Sequence, residues 1–210
     1  VTYLADFAGA FGLTIRISAF AFAMALILGT IVALCRVSAI PPLRAVGTFY
    51  VEVVRNIPLL VLLILIVFAL PEAGVKFTIE NSAIIGLGIY EASYVCEAVR
   101  SGINSIPLGQ AEAARAIGLP TKGVLGHVIV PQALRSVVQP LGNIAIATVL
   151  NSSLAAAVGV VELTGVANIL SSQSSHVIVL FIGDGAAYFA LTLVVGFLAG
   201  RLDKKVAIRR

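Results

Sequence analysis

Between Ile17 and Cys35 the chain carries no charged side chain, and Phe20, Phe22, Met24, Leu26, Ile27, Leu28, Ile31 and Leu34 fill the run. A helix needs about 20 apolar residues to cross the hydrocarbon core of a bilayer, and this run meets that need before Arg36 closes it. Four more stretches read the same way. A second helix is expected from near Leu43 through Glu52 and Arg55 into Ile57–Leu70, ending at Pro71. A third covers Asn81–Arg100 and carries Glu91 and Glu97. Val137–Val161 is uncharged but interrupted by Pro140, Gly142, Asn143, Asn151, Ser152 and Ser153, and reads as a span followed by a turn and a short helix around 159–170. Val177–Gly200 is the last. The expectation is an all-α integral membrane protein of about five transmembrane helices, with six also compatible with the length, and residues 1–210 as a single transmembrane domain.

Composition agrees. The chain is 60% hydrophobic and 11% charged, against about 45–50% and about 25% in soluble domains, which excludes a water-soluble globule, a disordered chain and a collagen-like fibre. Cys35 and Cys96 sit in apolar stretches without CxxC spacing, so neither a disulfide framework nor a metal site follows. Val1 rather than Met opens the chain, so upstream residues are expected. No charged n-region with a cleavage site is visible.

The net charge of +4 and pI near 9.3 acquire meaning from placement. Putting the 36–44 turn, the 100–135 segment and the C-terminal tail on one side gathers Arg36, Arg44, Arg100, Arg115, Lys122, Arg135, Arg201, Lys204, Lys205, Arg209 and Arg210, eleven of the 14 cations. The opposite loops hold only Lys76. Cytoplasmic loops carry the excess of Lys and Arg, so the N-terminus is expected outside and the C-terminus in the cytoplasm. Nucleic acid is not needed to explain the basic pI.

Residues 101–131 form the one sizeable polar interlude. Pro107 suits the first turn of a helix of about ten residues, Gly118 the left-handed position after its end, and Pro120 forbids continuation. Thr121 can cap a second short helix that stops at Pro131. Ala111, Ala113, Ala114 and Ala116 keep the first helix thin, so that another body can approach closely, and Glu112 and Arg115 share a face. On spacing alone, a solvated surface helix explains the same pattern.

The string itself says more. Glu112-Ala113-Ala114, Gly118 and Val128-x-Val130-Pro131 resemble the EAA loop of ABC importer permeases. The flanks resemble the polar amino-acid branch of that family: Gly12-x-Thr14-Ile15, Glu52-x-x-Arg55-Asn56-x-Pro58-Leu59-Leu60, Tyr94 to Ile103, Pro107-x-Gly109-Gln110, Pro131-Gln132-Ala133-Leu134-Arg135 and Pro140-Leu141-Gly142-Asn143. The resemblance covers nearly the whole chain. It implies an ABC type I importer permease fold with cytoplasmic coupling helices in a bacterial cytoplasmic (inner) membrane. It also implies a second permease subunit, identical or paralogous, two cytoplasmic ATP-binding subunits and an extracytoplasmic solute-binding protein. Glu112, Ala113, Ala114, Arg115 and Gly118 would then couple to the ATPase, with Glu112 meeting a basic side chain there. The chain has no GxxxxGK[ST], so ATP-Mg belongs to the partner subunits, and no cofactor or metal is expected here. Two departures stand out: Leu150-Asn151-Ser152-Ser153-Leu154 replaces a frequent Lys-Asp-Thr-Ser-Leu, and Ile57 a frequent Thr.

Acids and bases inside a membrane are costly and usually face protein or water. Glu97 and Arg100, three apart, read as a local ion pair, and Glu52 and Arg55 as another. Arg16 reads as snorkelling to the outer interface, and Asp184 as the outer end or a kink of the last span. Glu91 lies near mid-depth, where either a partner such as Arg16 or Arg55 or a ligand would satisfy it. Asn151-Ser152-Ser153 offers uncharged donors and acceptors at a helix break, as substrate paths do, although small polar residues also serve helix contacts. With Glu91 and Arg55 they form the candidate pathway. His127 and His176 have no partner at ligand spacing. The function expected is ATP-driven import of a polar amino acid, with glutamate, glutamine or aspartate favoured because Asn stands at 151 where a carboxylate would suit a cationic substrate. An unpaired Glu91 facing the pathway argues the other way, so its paired burial belongs to the expectation. A secondary transporter or channel is the alternative, but it predicts an internal repeat or ion relay that five unequal spans do not show.

The orientation is testable by labelling. With Cys35 and Cys96 replaced, Lys76→Cys should react with an impermeant thiol reagent in intact cells and Lys122→Cys should not. Reaction at both positions contradicts the cation count.

Overall fold

In lipid the backbone has no water to pair with, so its N–H and C=O groups must be satisfied within the protein. The computed structural model, described here for residues 2–206, answers this with helices throughout. In chain order they are α1 (Thr2–Val37), α2 (Pro41–Asn56), α3 (Leu59–Ile64), a π-turn (Leu65–Ala69), α4 (Leu70–Glu72) and α5 (Ile79–Asn104). Then come α6 (Leu108–Ala116), α7 (Thr121–Gly123), a second π-turn (Val124–Ile129), α8 (Val130–Asn151), a 3-10 segment (Ser152–Val158), α9 (Leu163–Gln173) and α10 (Val177–Val206). Four helical stretches are long and apolar enough to span, and a bent pair makes a fifth possible.

The first and third expected spans are present in longer form, as α1 and α5, and their contact organises the rest. Ile17, Ala21, Ala25 and Ala33 are fully buried at intervals of four or eight residues, and Gly29 completes the row. Residues four apart lie on one helix face, so α1 presents a small-residue groove to α5. A Cβ on Gly29 would stand 2.6 Å from the Ala92 carbonyl oxygen and 2.7 Å from Val95 Cβ. The other face of α1 turns Phe20, Ile27, Ile31 and Leu34 outward, as lipid contact requires. Without a hydrophobic driving force between helices in a membrane, such close backbone approach is what holds them together.

Three expectations are corrected. The second span is not one helix: α2 and the Leu59–Glu72 segment are bent by 103° at Ile57-Pro58. Ile57 is extended, with φ −95° and ψ 131°, because the proline ring clashes with a helical conformation in the residue before it. The short helix from Thr121 does not stop at Pro131. It runs on through the wider π-turn at Val124–Ile129, and Pro131 falls in the first turn of α8, where a missing N–H is tolerated. Asp184 does not mark the end of the last span. It lies inside α10, 8% exposed.

The fourth span ends as its polar residues suggest. After α8 the chain tightens into the 3-10 segment and turns at Gly159, whose φ of +94° is open to glycine. α9 then packs against α10 and α1. Glu162 caps α9, its Oε1 accepting from the Gly165 N–H at 2.9 Å, while Tyr188 of α10 donates to Oε2.

The glycine contact yields a stability prediction. Gly29→Ala forces the α1 and α5 backbones apart, at a cost of about 1–3 kcal/mol for overpacking. Gly9→Ala, with nothing within 4 Å of its new methyl, should be neutral or stabilising. Thermal unfolding in detergent should therefore rank Gly29→Ala below wild type and Gly9→Ala level with it or above; equal melting of the two variants counts against the packing.

Candidate functional site

The expected coupling helix forms where its signals stand. Pro107 caps α6 in extended conformation, and Gly118 takes φ +85° just past its end. Ala114 is buried where α6 lies against the second π-turn. Glu112, Ala113 and Arg115 are exposed. Glu112 and Arg115 share a face without forming a salt bridge among the described residues. Leu108 and Ile117, at the two ends of α6, are 83% and 80% exposed. α6 therefore leaves an acid and two large aliphatic side chains bare.

Within the membrane region the candidate residues divide. Glu91, 2% exposed on α5, is met by neither Arg16 nor Arg55. Its partner is Asn151, whose Nδ2 donates to Glu91 Oε1 at 2.7 Å. The expected pairs are therefore revised: Arg16 bridges to Glu80 at the start of α5 rather than merely snorkelling. Glu52 and Arg55 form no ion pair. Arg55 instead lies over the Tyr94 ring, 4.8 Å from its centroid, and the Tyr94 hydroxyl is 3.0 Å from that of Tyr90. A polar strip thus runs along α5 from Glu91 and Asn151 to Tyr90, Tyr94 and Arg55. Ser152 and Ser153, next to Asn151, donate to the carbonyls of Val149 and Leu150 at 2.7 Å each. Their protons are spent locally and only their acceptor capacity is left.

Arg55 also lines a polar cavity of about 450 Å³ with Glu97, Arg100, Ser101, Ser105 and Ser136. The expected Glu97–Arg100 pair is present, with Arg100 Nη2 to Oε2 at 2.8 Å, and Arg36 of α1 donates to the other oxygen. Glu97 is therefore a junction between α1 and α5. His127 is tied to the Gly123 carbonyl at 3.2 Å. Among the described residues no three His, Cys, Asp or Glu side chains are grouped to hold a metal.

Glu162 escaped the sequence reading. It is fully buried between the last two spans, and it gathers α1, α9 and α10. Thr14 Oγ1 donates to its Oε2 at 3.4 Å and accepts the Leu163 N–H at 3.2 Å, and Tyr188 donates to the same carboxylate. An acid before Leu-Thr-Gly at a helix start was the available signal. Tyr90 was missed as well, since a tyrosine in a span reads as an interface anchor.

These features meet in known proteins. Residues 10–208 match the family described as "Binding-protein-dependent transport system inner membrane component". The chain is 36% identical over 193 residues to the probable glutamine ABC transporter permease protein GlnM of Bacillus subtilis, covering 92% of this chain and 89% of that one. It is 34% identical over 214 residues to the glutamate transport system permease protein GluC of Corynebacterium efficiens, covering 96% and 94%. A crystal structure of an amino acid ABC transporter with histidines superposes with a TM-score of 0.91 at 31% identity, over 98% of this chain and 96% of that one. The inward-facing MetNI methionine ABC transporter, at 22% identity, shares the fold with a TM-score of 0.73, covering 98% and 96%. The chain belongs to the family of binding-protein-dependent transport system inner membrane components, as a membrane-spanning permease of the ABC importer type.

Proposed function

We propose that this chain carries a polar amino acid, glutamate, glutamine or aspartate, into the cytoplasm, as half of a permease pair driven by two ATP-binding subunits and fed by an extracytoplasmic solute-binding protein. The observation that carries the reading is the Glu91–Asn151 contact at mid-depth of α5, 2.7 Å long and one helical turn from Tyr94 and Arg55. An α-amino acid presents an ammonium and a carboxylate. Glu91 answers the first and the Arg55–tyrosine end of the strip the second, and the low dielectric strengthens both attractions. Asn151, which holds one oxygen of Glu91, leaves its second N–H and its Oδ1 for a side chain, which suits an amide or an acid once the Glu91 charge is taken up by the substrate's ammonium. The names of GlnM and GluC lend support from relatives.

Transport needs two states, with the path open to one side at a time. ATP-Mg, bound by the partner subunits, supplies the energy. This chain's part is to receive the stroke on α6. The exposed Glu112 meets a cation of the ATPase while Leu108 and Ile117 bury their bare surface against it. The basic loops and tail lie on that same cytoplasmic side.

Two experiments follow. Glu112→Lys should leave the protein inserted at normal level but weaken co-purification of the ATP-binding subunits and cut uptake at least tenfold, since a cation then faces a cation. Normal co-purification and normal uptake return α6 to a plain solvated helix. For the substrate, labelled uptake should be inhibited by unlabelled glutamate, glutamine or aspartate. Asn151→Asp, which sets a second carboxylate against Glu91, should lose acidic substrates more than amide ones. Inhibition by arginine or lysine with none by the three favoured amino acids contradicts the assignment.

A further inference from the structure

An apolar groove of about 450–500 Å³, 480 Å³ by volume, lies away from the polar strip, between α1, α8 and α10. Phe22 and Leu26 form one wall, Leu198 and Leu202 the other, and Leu141 and Ala145 the floor. At the far end α1 meets α10, where Ala10, Tyr188 and Leu191 share a core cluster, and the lining runs from there to the α10 C-terminus. On α10 its lining runs from Leu191 to Val206, about 22 Å of helix. That is somewhat more than one leaflet of a hydrocarbon core about 30 Å thick.

The open end is basic. Gly142 and Ala199 face each other across α8 and α10, a Cβ on Gly142 falling 2.7 Å from the Ala199 Cβ. Arg135 lies seven residues before Gly142, and Lys205 seven after Leu198; a step of seven is two turns, returning to the same helix face. The two helices run antiparallel, so both cations continue the groove's lining at a similar depth, about 10 Å beyond that contact. Arg201 flanks them, its guanidinium 4.3 Å from the Phe197 ring. All three are exposed, and among the described residues none is in a salt bridge. Asp203, four residues after Ala199, lies on the groove side of α10 as well, and among the described residues it too is in no salt bridge.

From this geometry we infer that the groove between α1, α8 and α10 holds one acyl chain of an anionic phospholipid, with Arg135, Lys205 and Arg201 clasping its phosphate. The apolar walls match the chain, and three unpaired cations against the one acid, Asp203, leave a net positive mouth that matches the headgroup. A second copy of this chain is the competing occupant, but it would bring like charges together at the mouth.

The test uses the protein extracted in detergent with whatever subunits accompany it. After equilibration with an equimolar mixture of phosphatidylglycerol and phosphatidylcholine and extensive washing, retained lipid is measured by mass spectrometry. Wild type should retain phosphatidylglycerol in preference to phosphatidylcholine. Arg135→Gln with Lys205→Gln should lower that preference on the order of tenfold or more, given the usual strength of basic residues at anionic lipid surfaces. Ala145→Trp, which fills the groove, should lose both lipids. No preference in wild type, or a preference unchanged in the double variant, overturns the inference. So does a disulfide-linked dimer formed by Leu198→Cys, which assigns the groove to a second copy. The double variant leaves the packed interior alone, so the test survives if Ala145→Trp does not fold.

Discussion

The close approach of α1 and α5 is the contact on which the rest depends. Ala21, Ala25 and Ala33 on one helix and Ala92 on the other are fully buried, and glycines at 29 and 88 let the backbones come within a methyl's reach. In water this stripe would be a weak core, since small side chains bury little area. In lipid it is an effective one, because packing and not water release drives helix association. Glu91 immediately precedes Ala92 of that contact, and farther along α5 Arg36 of α1 reaches Glu97, which Arg100 also holds. Closing α1 onto α5 therefore fixes both the depth of the buried carboxylate and the charged latch near the C-terminal end of α5.

Polar groups in this membrane region are arranged by what each can find to bond. Glu91 finds one amide, Glu162 finds a tyrosine, a backbone N–H and a threonine, and Glu97 finds two arginines. The first is the least satisfied, and it stands beside the place where α8 gives way to the 3-10 segment. A buried acid with a single neutral partner is costly to keep; Glu91 and Asp184, the latter bonded only by Thr164, are both of this kind among the described residues, whereas Glu162 and Glu97 are held from several elements. What marks Glu91 for a passing ligand is its place beside Asn151 and the helix break.

Much of this was legible in the chain. Long uncharged runs identify α1, α5 and α10, Pro107 and Gly118 bracket α6, and Asn151-Ser152-Ser153 marks the end of the fourth helix, because each signal is local. What was not legible required a neighbour. Pro58 sits in so apolar a run that hydropathy hides the bend it causes. The π-turn before Pro131 lets a helix pass a residue that ordinarily stops one. Spacing pairs Glu52 with Arg55, yet Tyr94 from another helix claims the arginine. Glu91 could not be given Asn151, sixty positions away, and Glu162 offers in sequence only a helix-start signal, its contacts with α1 and α10 coming from neighbours far along the chain.

The central claim is that this permease passes an amino acid through a path it does not power itself. The most direct measurement is uptake of labelled glutamine and glutamate into proteoliposomes holding the permease with its ATP-binding subunits. The account predicts accumulation only with ATP on the side of the ATP-binding subunits and a solute-binding protein on the other, and arrest by vanadate. Accumulation driven by a sodium or proton gradient without ATP, and indifferent to vanadate, contradicts it.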